Sequence, residues 1–266
     1  MMRFGTGFGV GAILITHMHA DHFIGVIGLV RTLGLQGREE TLHLCGPPGS
    51  SGVLDRAVHL GMDRIRFPVE IREVEPGERI PRPGYEVEVF PVKHGTSAVG
   101  YAIREPQRLG RFDVERVRAL GVPEGPLFGR IHRGEAVEVA GRTIHPEEVV
   151  GPPRPGRSVV YTGDTRPAES VVEAARGADL LIHDCTFAGS DARRARETFH
   201  STAGEAAGVA RKAGALRLAL THLSARYSDL PEVLEREARK RFPDSIVARD
   251  GLTLDLPFLD EGGTEP

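Results

Sequence analysis

Cysteine is scarce in this chain: 266 residues carry two, Cys45 and Cys185. Two cysteines build no disulfide framework, and such sparing use fits the reducing cytoplasm, which is the location expected here. Each reads as a small core residue. Long apolar runs are lacking too. No stretch of roughly 18 apolar residues is available to span a bilayer, and no apolar segment follows a basic start as in a secretory leader, so no membrane partner is expected. A surplus of one charge is also missing. The formal net charge of −3 supplies no global attraction to nucleic acid, so any basic surface must be local. What remains is 40% hydrophobic and 27% charged, an ordinary globular composition on a chain long enough to bury a core without staples.

Short β-branched or aliphatic segments recur along that chain. AILIT (12–16), TLHLC (41–45), VEIREV (69–74), YEVEVFPV (85–92), VGYAI (99–103), SVVYT (158–162), DLLIHD (179–184), LRLALT (216–221) and LTLDL (252–256) are predicted strands, and several end in Asp, Thr or His. Between them, FIGVIGLVRTL (23–33), residues 51–60, SVVEAAR (170–176), TAGEAAGVARKA (202–213) and LPEVLEREARKRF (230–242) carry apolar residues at helical spacing. Thr202 with Glu205 reads as a capping box, and Pro231 suits a first helical turn. Strands alternating with helices argue for a layered α/β domain. Two Gly/Pro/Arg-rich stretches, from about 105 to 134 and GPPRPGR (151–157), break the rhythm and read as loops or protruding arms.

The stretch ITHMHADHF (15–23) places His17, His19, Asp21 and His22 where one strand has ended and no helix has begun. In α/β sheets that is where functional groups usually stand. Imidazole and carboxylate suit zinc, with manganese and iron as competitors. Alternation on an extended segment sends His17 and His19 to one side, while a turn at Asp21 and His22 presents a second cluster beside the first. Four ligands from one loop cannot complete two metal sites. His94, Asp164 and His222 each stand just past another predicted strand. Taken singly, a histidine at a strand end is as often structural as functional, and an aspartate in a TGD turn usually caps. Their coincidence with the HxHxDH loop points to metal.

HMHADH, YTGDT and THLS together resemble the metallo-β-lactamase superfamily of αββα hydrolases. More narrowly, THLSARY (221–227), FHSTAGEAAGVA (199–210), YTGDTRP (161–167) and GVPEGPLFGRIHRGEAV (121–137) closely resemble ribonuclease Z, the family of endonucleases that trim the 3′ trailer from precursor tRNA. The resemblance implies one α/β domain over residues 1–266, a four-layered αββα sandwich with a protruding basic arm. It implies two zinc ions per chain, with manganese or iron possible instead: one on His17, His19 and His94, the other on Asp21, His22 and His222, and Asp164 bridging. Asp21 would also accept the proton of the attacking water, and His200 would help protonate the leaving 3′ oxygen, although a packing role at the helix start is the plain alternative for His200. The products would be a tRNA 3′-hydroxyl and a 5′-phosphate on the trailer. A homodimer is implied as well, the arm of one subunit serving the site of the other. Arg226 and Tyr227 read equally as supports for ligands or as surface and core residues.

Two departures from that family stand out. His183, Asp184, Cys185 and Thr186 replace the common His-Glu-Ala-Thr, which keeps a carboxylate but shortens it. At the front, eleven residues precede Ala12, where the family has a longer stretch holding its first strands and a Gly-rich turn. MMRFGTGFG (1–9) resembles the end of the helix and loop that follow them. The expectation is an N-terminally shortened sandwich lacking its first strands, with an exposed apolar edge.

The arm is expected at about 104–134, where seven arginines (Arg104, Arg108, Arg111, Arg116, Arg118, Arg130 and Arg133) face four acids. A charge run alone is usually a solvated face. Beside the resemblance, in which an equivalent arm clasps the tRNA elbow, Arg108, Arg111, Arg116, Arg118, Arg130 and Arg133 read as contacts to RNA phosphates, the RNA being recognised mainly by shape. Two other readings stay open: a binuclear hydrolase of a small phosphodiester, sulfate ester or thioester, and a shortened, metal-poor chain that binds RNA or a partner without turnover.

Overall fold

The computed structural model describes residues 9–61 and 64–258. The stretch MMRFGTGF (1–8), on which the shortened N-terminal reading largely rests, lies outside the described residues. Strand β1 (Ala12–Leu14) pairs in parallel with β2 (Leu42–Gly46), and β2 with β3 (Val69–Glu73). Their crossovers carry α1 (Ala20–Phe23), α2 (Gly25–Leu35) and α3 (Ser51–Val58). An antiparallel meander follows in β4 (Arg79–Arg82), β5 (Tyr85–Pro91) and β6 (Val99–Arg104). Next come α4 (Val114–Ala119), α5 (Pro126–His132), β7 (Val137–Val139) and β8 (Arg142–Ile144). The chain then runs through β9 (Ser158–Tyr161), α6 (Glu169–Ala174), β10 (Leu180–Asp184), α7 (Ala192–Glu197), α8 (Ala203–Ala213), β11 (Leu218–Thr221), α9 (Glu232–Arg239) and β12 (Ser245–Val247). A seven-stranded sheet in the order β12-β11-β10-β9-β6-β5-β4 is parallel as far as β9 and antiparallel beyond it.

Strand periodicity builds the layers. On β2, Leu42 and Leu44 turn to one face and pack with Val26, Val30 and Leu33 of α2 and with Leu54 and Val58 of α3. Cys45, one residue on, turns to the other face and joins Val87, Val89, Val99 and Tyr101 of the larger sheet. The far face of that sheet, through Ala102, Val160, Leu181 and Leu220, packs on apolar residues of α6, α8 and α9. Three apolar seams thus separate helices, sheet, sheet and helices, the αββα order expected from the resemblance. Both cysteines are buried thiols.

Two compact units emerge, one formed by the sandwich up to Arg104 and from Ser158, the other spanning Glu105–Arg157. The second unit takes in the stretch expected as an arm together with residues 135–157. It has its own core of Val117, Val122, Ile131, Val137, Ile144 and Val149, and Asp113 caps α4 by accepting from the Arg116 amide. Its β7–β8 hairpin turns at Ala140 and Gly141, both in the left-handed region as such a turn requires. Over Glu105–Arg157, nine arginines face eight carboxylates, a smaller excess than over 104–134, because Arg104 falls in the other unit and residues 135–157 add four acids against three arginines. Arg130 binds Glu135 at 2.8 Å, and Arg118 binds Glu124 at 2.6 Å.

Four short strands, β4, β7, β8 and β12, lie outside the predicted segments, whereas β1, β9 and β11, which are no longer, stand in apolar runs that mark them. Conversely, LTLDL (252–256) forms no strand: Leu252 is exposed, and the Asp255 carbonyl accepts from the Arg217 guanidinium rather than from a sheet neighbour. Replacing the fully buried Leu44 by Ala removes side-chain volume from the seam between the smaller sheet and α2/α3. A loss of about 2–5 kcal/mol is expected, measurable as a lowered urea midpoint at unchanged slope.

Candidate metal centre

Most of the chemically active side chains sit at or just beyond the end of a strand of the sandwich unit. His17 follows β1, and its extended backbone is fixed where the Val99 amide donates to the Thr16 carbonyl. Asp21 and His22 lie in the short helix α1. His94 follows β5, Asp164 follows β9, Asp184 ends β10, and His222 follows β11. Gly163 makes the Asp164 turn possible. Its φ is +59°, and a Cβ there would come within 2.7 Å of the Thr16 side chain, so only glycine lets the two loops approach.

The geometry centres on Asp164, which is 2% exposed. Its Oδ2 lies 3.3 Å from His22 Nε2, 3.4 Å from His222 Nε2 and 3.6 Å from His17 Nε2, while its Oδ1 is buried without a hydrogen-bond partner. On one side, His17 Nε2 faces His19 Nδ1 at 3.1 Å, and His94 Nε2 faces the same nitrogen at 3.3 Å. On the other, the exposed Asp21 carboxylate lies 3.5 Å from His22 Nε2 and 3.7 Å from His222 Nε2. The seven residues singled out as ligands are thus all brought together, as His17, His19, His94 and Asp164 on one side and Asp21, His22 and His222 on the other. A buried carboxylate oxygen without a donor, amid imidazole nitrogens that converge on one another, is a donor set that fits divalent cations of the zinc type.

Electrostatics agrees with that fit at His17 and His94, whereas the hydrogen bond to Asp164 raises His22. Burial and the neighbouring His22 pull His17 down to about 3, so at neutral pH it offers a neutral ring, the form that binds metal. Burial lowers His94 as well. Burial pushes Asp164 up, but the hydrogen bond from His22 and the charges of His222 and His22 outweigh it and hold the carboxyl at about 2.

Partners on the outer nitrogens orient the rings. His94 Nδ1 donates to the Phe199 carbonyl at 3.1 Å, and His17 Nδ1 meets Thr16 Oγ1 at 3.1 Å. Thr186 Oγ1 donates to Asp184 Oδ1 at 2.8 Å and therefore accepts from His222 Nδ1 at 2.9 Å. In all three, Nε2 is left facing inward. Asp184 is the residue that strand-end reading undervalued. Its Oδ2 accepts from His200 Nδ1 at 2.9 Å and from the Thr165 amide at 3.0 Å, so one carboxylate steers both His200 and, through Thr186, His222. Burial pushes His200 down, but the hydrogen bond and charge of Asp184 carry it above its ordinary value. The signal for Asp184 was present as a carboxylate ending a predicted strand in place of the family's glutamate.

His200 is held through its backbone as well. The Arg166 guanidinium donates to the His200 carbonyl and pairs with Glu205 at 2.5 Å, and Glu205 closes the capping box on Thr202 at the start of α8. Phe199 and His222 both carry positive φ, 60° and 59°; such conformations cost about 1–3 kcal/mol each and cluster at functional sites. Arg226 and Tyr227 touch no ligand candidate in the contacts of the described residues. Tyr227 donates to Asp191 at 2.6 Å and Arg226 pairs with it at 3.4 Å, tying down the loop before α7.

A four-layer αββα sandwich with this His/Asp cluster at its strand ends defines a class of hydrolase. The Beta-lactamase superfamily domain matches residues 6–112 and 131–223. Ribonuclease Z of Myxococcus xanthus is 52% identical over 98% of this chain and 85% of its own, and that of Haloferax volcanii 51% over 99% and 84%. Among solved structures, the human short-form tRNase Z shares the fold with a TM-score of 0.64 at 21% identity, covering 96% of this chain and 83% of its own. The chain belongs to the beta-lactamase superfamily and, within it, to the ribonuclease Z family.

Thr186→Val keeps the volume but removes the hydroxyl that links His222 to Asp184. A loss of about 10- to 100-fold in metal affinity is expected, read by competition against a chromophoric chelator. Unchanged affinity would show that the Thr186 contact does not orient the ligand.

Proposed function

We propose that this chain is a metal-dependent endoribonuclease that removes the 3′ trailer from precursor tRNA, leaving a 3′-hydroxyl on the tRNA and a 5′-phosphate on the trailer. The observation that carries the chemistry is the Asp164 carboxylate, whose Oδ2 faces His17 on one side and His22 and His222 on the other. In this reading His17, His19 and His94 hold one zinc ion, Asp21, His22 and His222 hold a second, and Asp164 serves both, with manganese or iron as alternatives. When bound, such ions supply Lewis acidity that offsets the charge developing on the attacking and leaving oxygens of an in-line displacement. Asp21, whose side chain is 70% exposed beside His22 and His222, accepts the proton of the attacking water. His200, steered by Asp184 and anchored by Arg166, delivers a proton to the leaving 3′ oxygen. Substrate binding is assigned to the Glu105–Arg157 unit, with Arg108, Arg111, Arg116, Arg118, Arg130 and Arg133 as RNA contacts. Arg133 and Arg116 are the stronger members, because Arg118 and Arg130 already pair with carboxylates. A homodimer in the cytoplasm completes the reading, supported by the family resemblance.

His200→Ala is expected to slow precursor-tRNA cleavage by about 10²- to 10⁴-fold with metal content intact. Metal lost in proportion to activity would make His200 a ligand or a structural residue instead. Arg104 and Ser158 are register partners of β6 and β9, so a short Gly/Ser turn can replace Glu105–Arg157. That replacement is expected to spare hydrolysis of bis-p-nitrophenyl phosphate and to abolish tRNA cleavage, chiefly through KM. The opposite pattern would favour the small-ester hydrolase.

A further inference from the structure

A groove of about 720 Å³ adjoins the centre where Lys93 precedes His94 and Phe199 precedes His200. Thirteen residues line it; five are Lys or Arg and two are Glu, a local excess of positive charge on a chain whose net charge is −3. Both carboxylates are already committed, Glu205 to Arg166 and Glu169 to Lys212, each at 2.5 Å. Among the described residues, Lys93 and Arg196 have no carboxylate partner, and both are exposed. Val172 and Val209 supply apolar lining.

Phe199 completes the groove. It is 42% exposed, and its backbone is held in the left-handed region at φ 60°, uncommon for a bulky residue. Its ring lies against the backbone of Gly95, where a Cβ would come within 3.2 Å of Cδ2. A presented aromatic ring beside two uncommitted cations is the combination that grips single-stranded nucleic acid: the ring stacks a base, and the cations take phosphates. A small anionic ester would need the cations but not the ring.

We propose that this groove is a subsite for unpaired RNA next to the cleaved phosphate, with a base stacked on Phe199 and phosphates on Lys93 and Arg196. The assignment to substrate rests on reading the chain as an RNA-cleaving enzyme. The unpaired nucleotides have two sources of the same chemistry, the trailer and the unpaired 3′ end of the tRNA itself.

The first test does not depend on cleavage. A fluorescein-labelled single-stranded RNA octamer is titrated against the metal-loaded full chain over a range of salt concentrations. Each phosphate contact contributes ~0.7 to the log–log salt slope for single strands, so Lys93→Gln combined with Arg196→Gln lowers the slope by ~1.4 and weakens binding ~10-fold or more near 0.1 M salt. Phe199→Leu weakens binding ~5-fold or more with the slope unchanged. Wild-type affinity and slope in the double variant overturn the proposal. The second test reads KM for precursor tRNAs with trailers from one to about ten nucleotides long. A rise in KM confined to longer trailers assigns the groove to the trailer, and a rise at every length assigns it to the tRNA end. A KM unchanged throughout overturns the substrate role. If the chain cut no precursor tRNA, the proposed function would fall, while octamer binding would still decide whether the groove takes single-stranded RNA.

Discussion

A buried carboxylate is costly unless its charge is met, and Asp164 is the point around which this molecule is organised. Removing an ionised group from water without partners is prohibitive, yet here the sandwich positions one at 2% exposure with one oxygen lacking any donor. Three imidazoles, two from the segment after β1 and one from the end of β11, surround the other oxygen. The hydrogen bond from His22 and the charges of His222 and His22 offset the burial of that anion, while the rings that supply them repel one another when protonated. The converging nitrogens and the donor-free Oδ1 together form a donor set that a divalent cation fits. The close approach of the β1 and β9 loops, which Gly163 permits, is what brings the two imidazole sets to the same anion.

Around that point lies a scaffold of neutral and ionic contacts that fixes orientation. The Asp184 carboxylate meets His200 directly and His222 through Thr186. Arg166 reaches the His200 carbonyl while its own amide donates to the Lys93 carbonyl, so the His94 loop, the Asp164 turn and the His200 segment are tied to one another. Glu237 of α9 takes the amides of Gly189 and Gly204 at 2.8 and 3.0 Å, bracketing the segment that carries His200. Geometry of this kind, set by rigid elements and closed by directed hydrogen bonds, holds a reactive constellation without reorganisation during a reaction.

Much of this was legible in the sequence because the informative residues stand at strand ends, and strand ends are marked by a change from apolar alternation to polar residues. His17, His19, Asp21 and His22 announce themselves by spacing. His94, Asp164 and His222 needed the same rule applied further along the chain. The capping box at Thr202 was readable because its chemistry is local. Asp184 was visible as a carboxylate ending a strand, but its role was not, since that comes from partners that the chain brings back from a distance. The charge of the Glu105–Arg157 unit depends on its bounds, since Arg104 belongs to the sandwich and residues 135–157 add four acids against three arginines. β4 and β12 lack the apolar run that marks the equally short β1 and β11, and LTLDL has the alternation without a sheet neighbour to use it.

The central claim is that Asp164 joins two imidazole sets into a single binuclear centre. Asp164→Asn is nearly isosteric and removes only the charge, so elemental analysis of the dialysed protein beside wild type tests it directly. About two equivalents of divalent metal per chain are expected for wild type and less than about one for the variant. A variant that kept the full wild-type complement would contradict the claim, because each imidazole set would then hold its ion without the shared carboxylate.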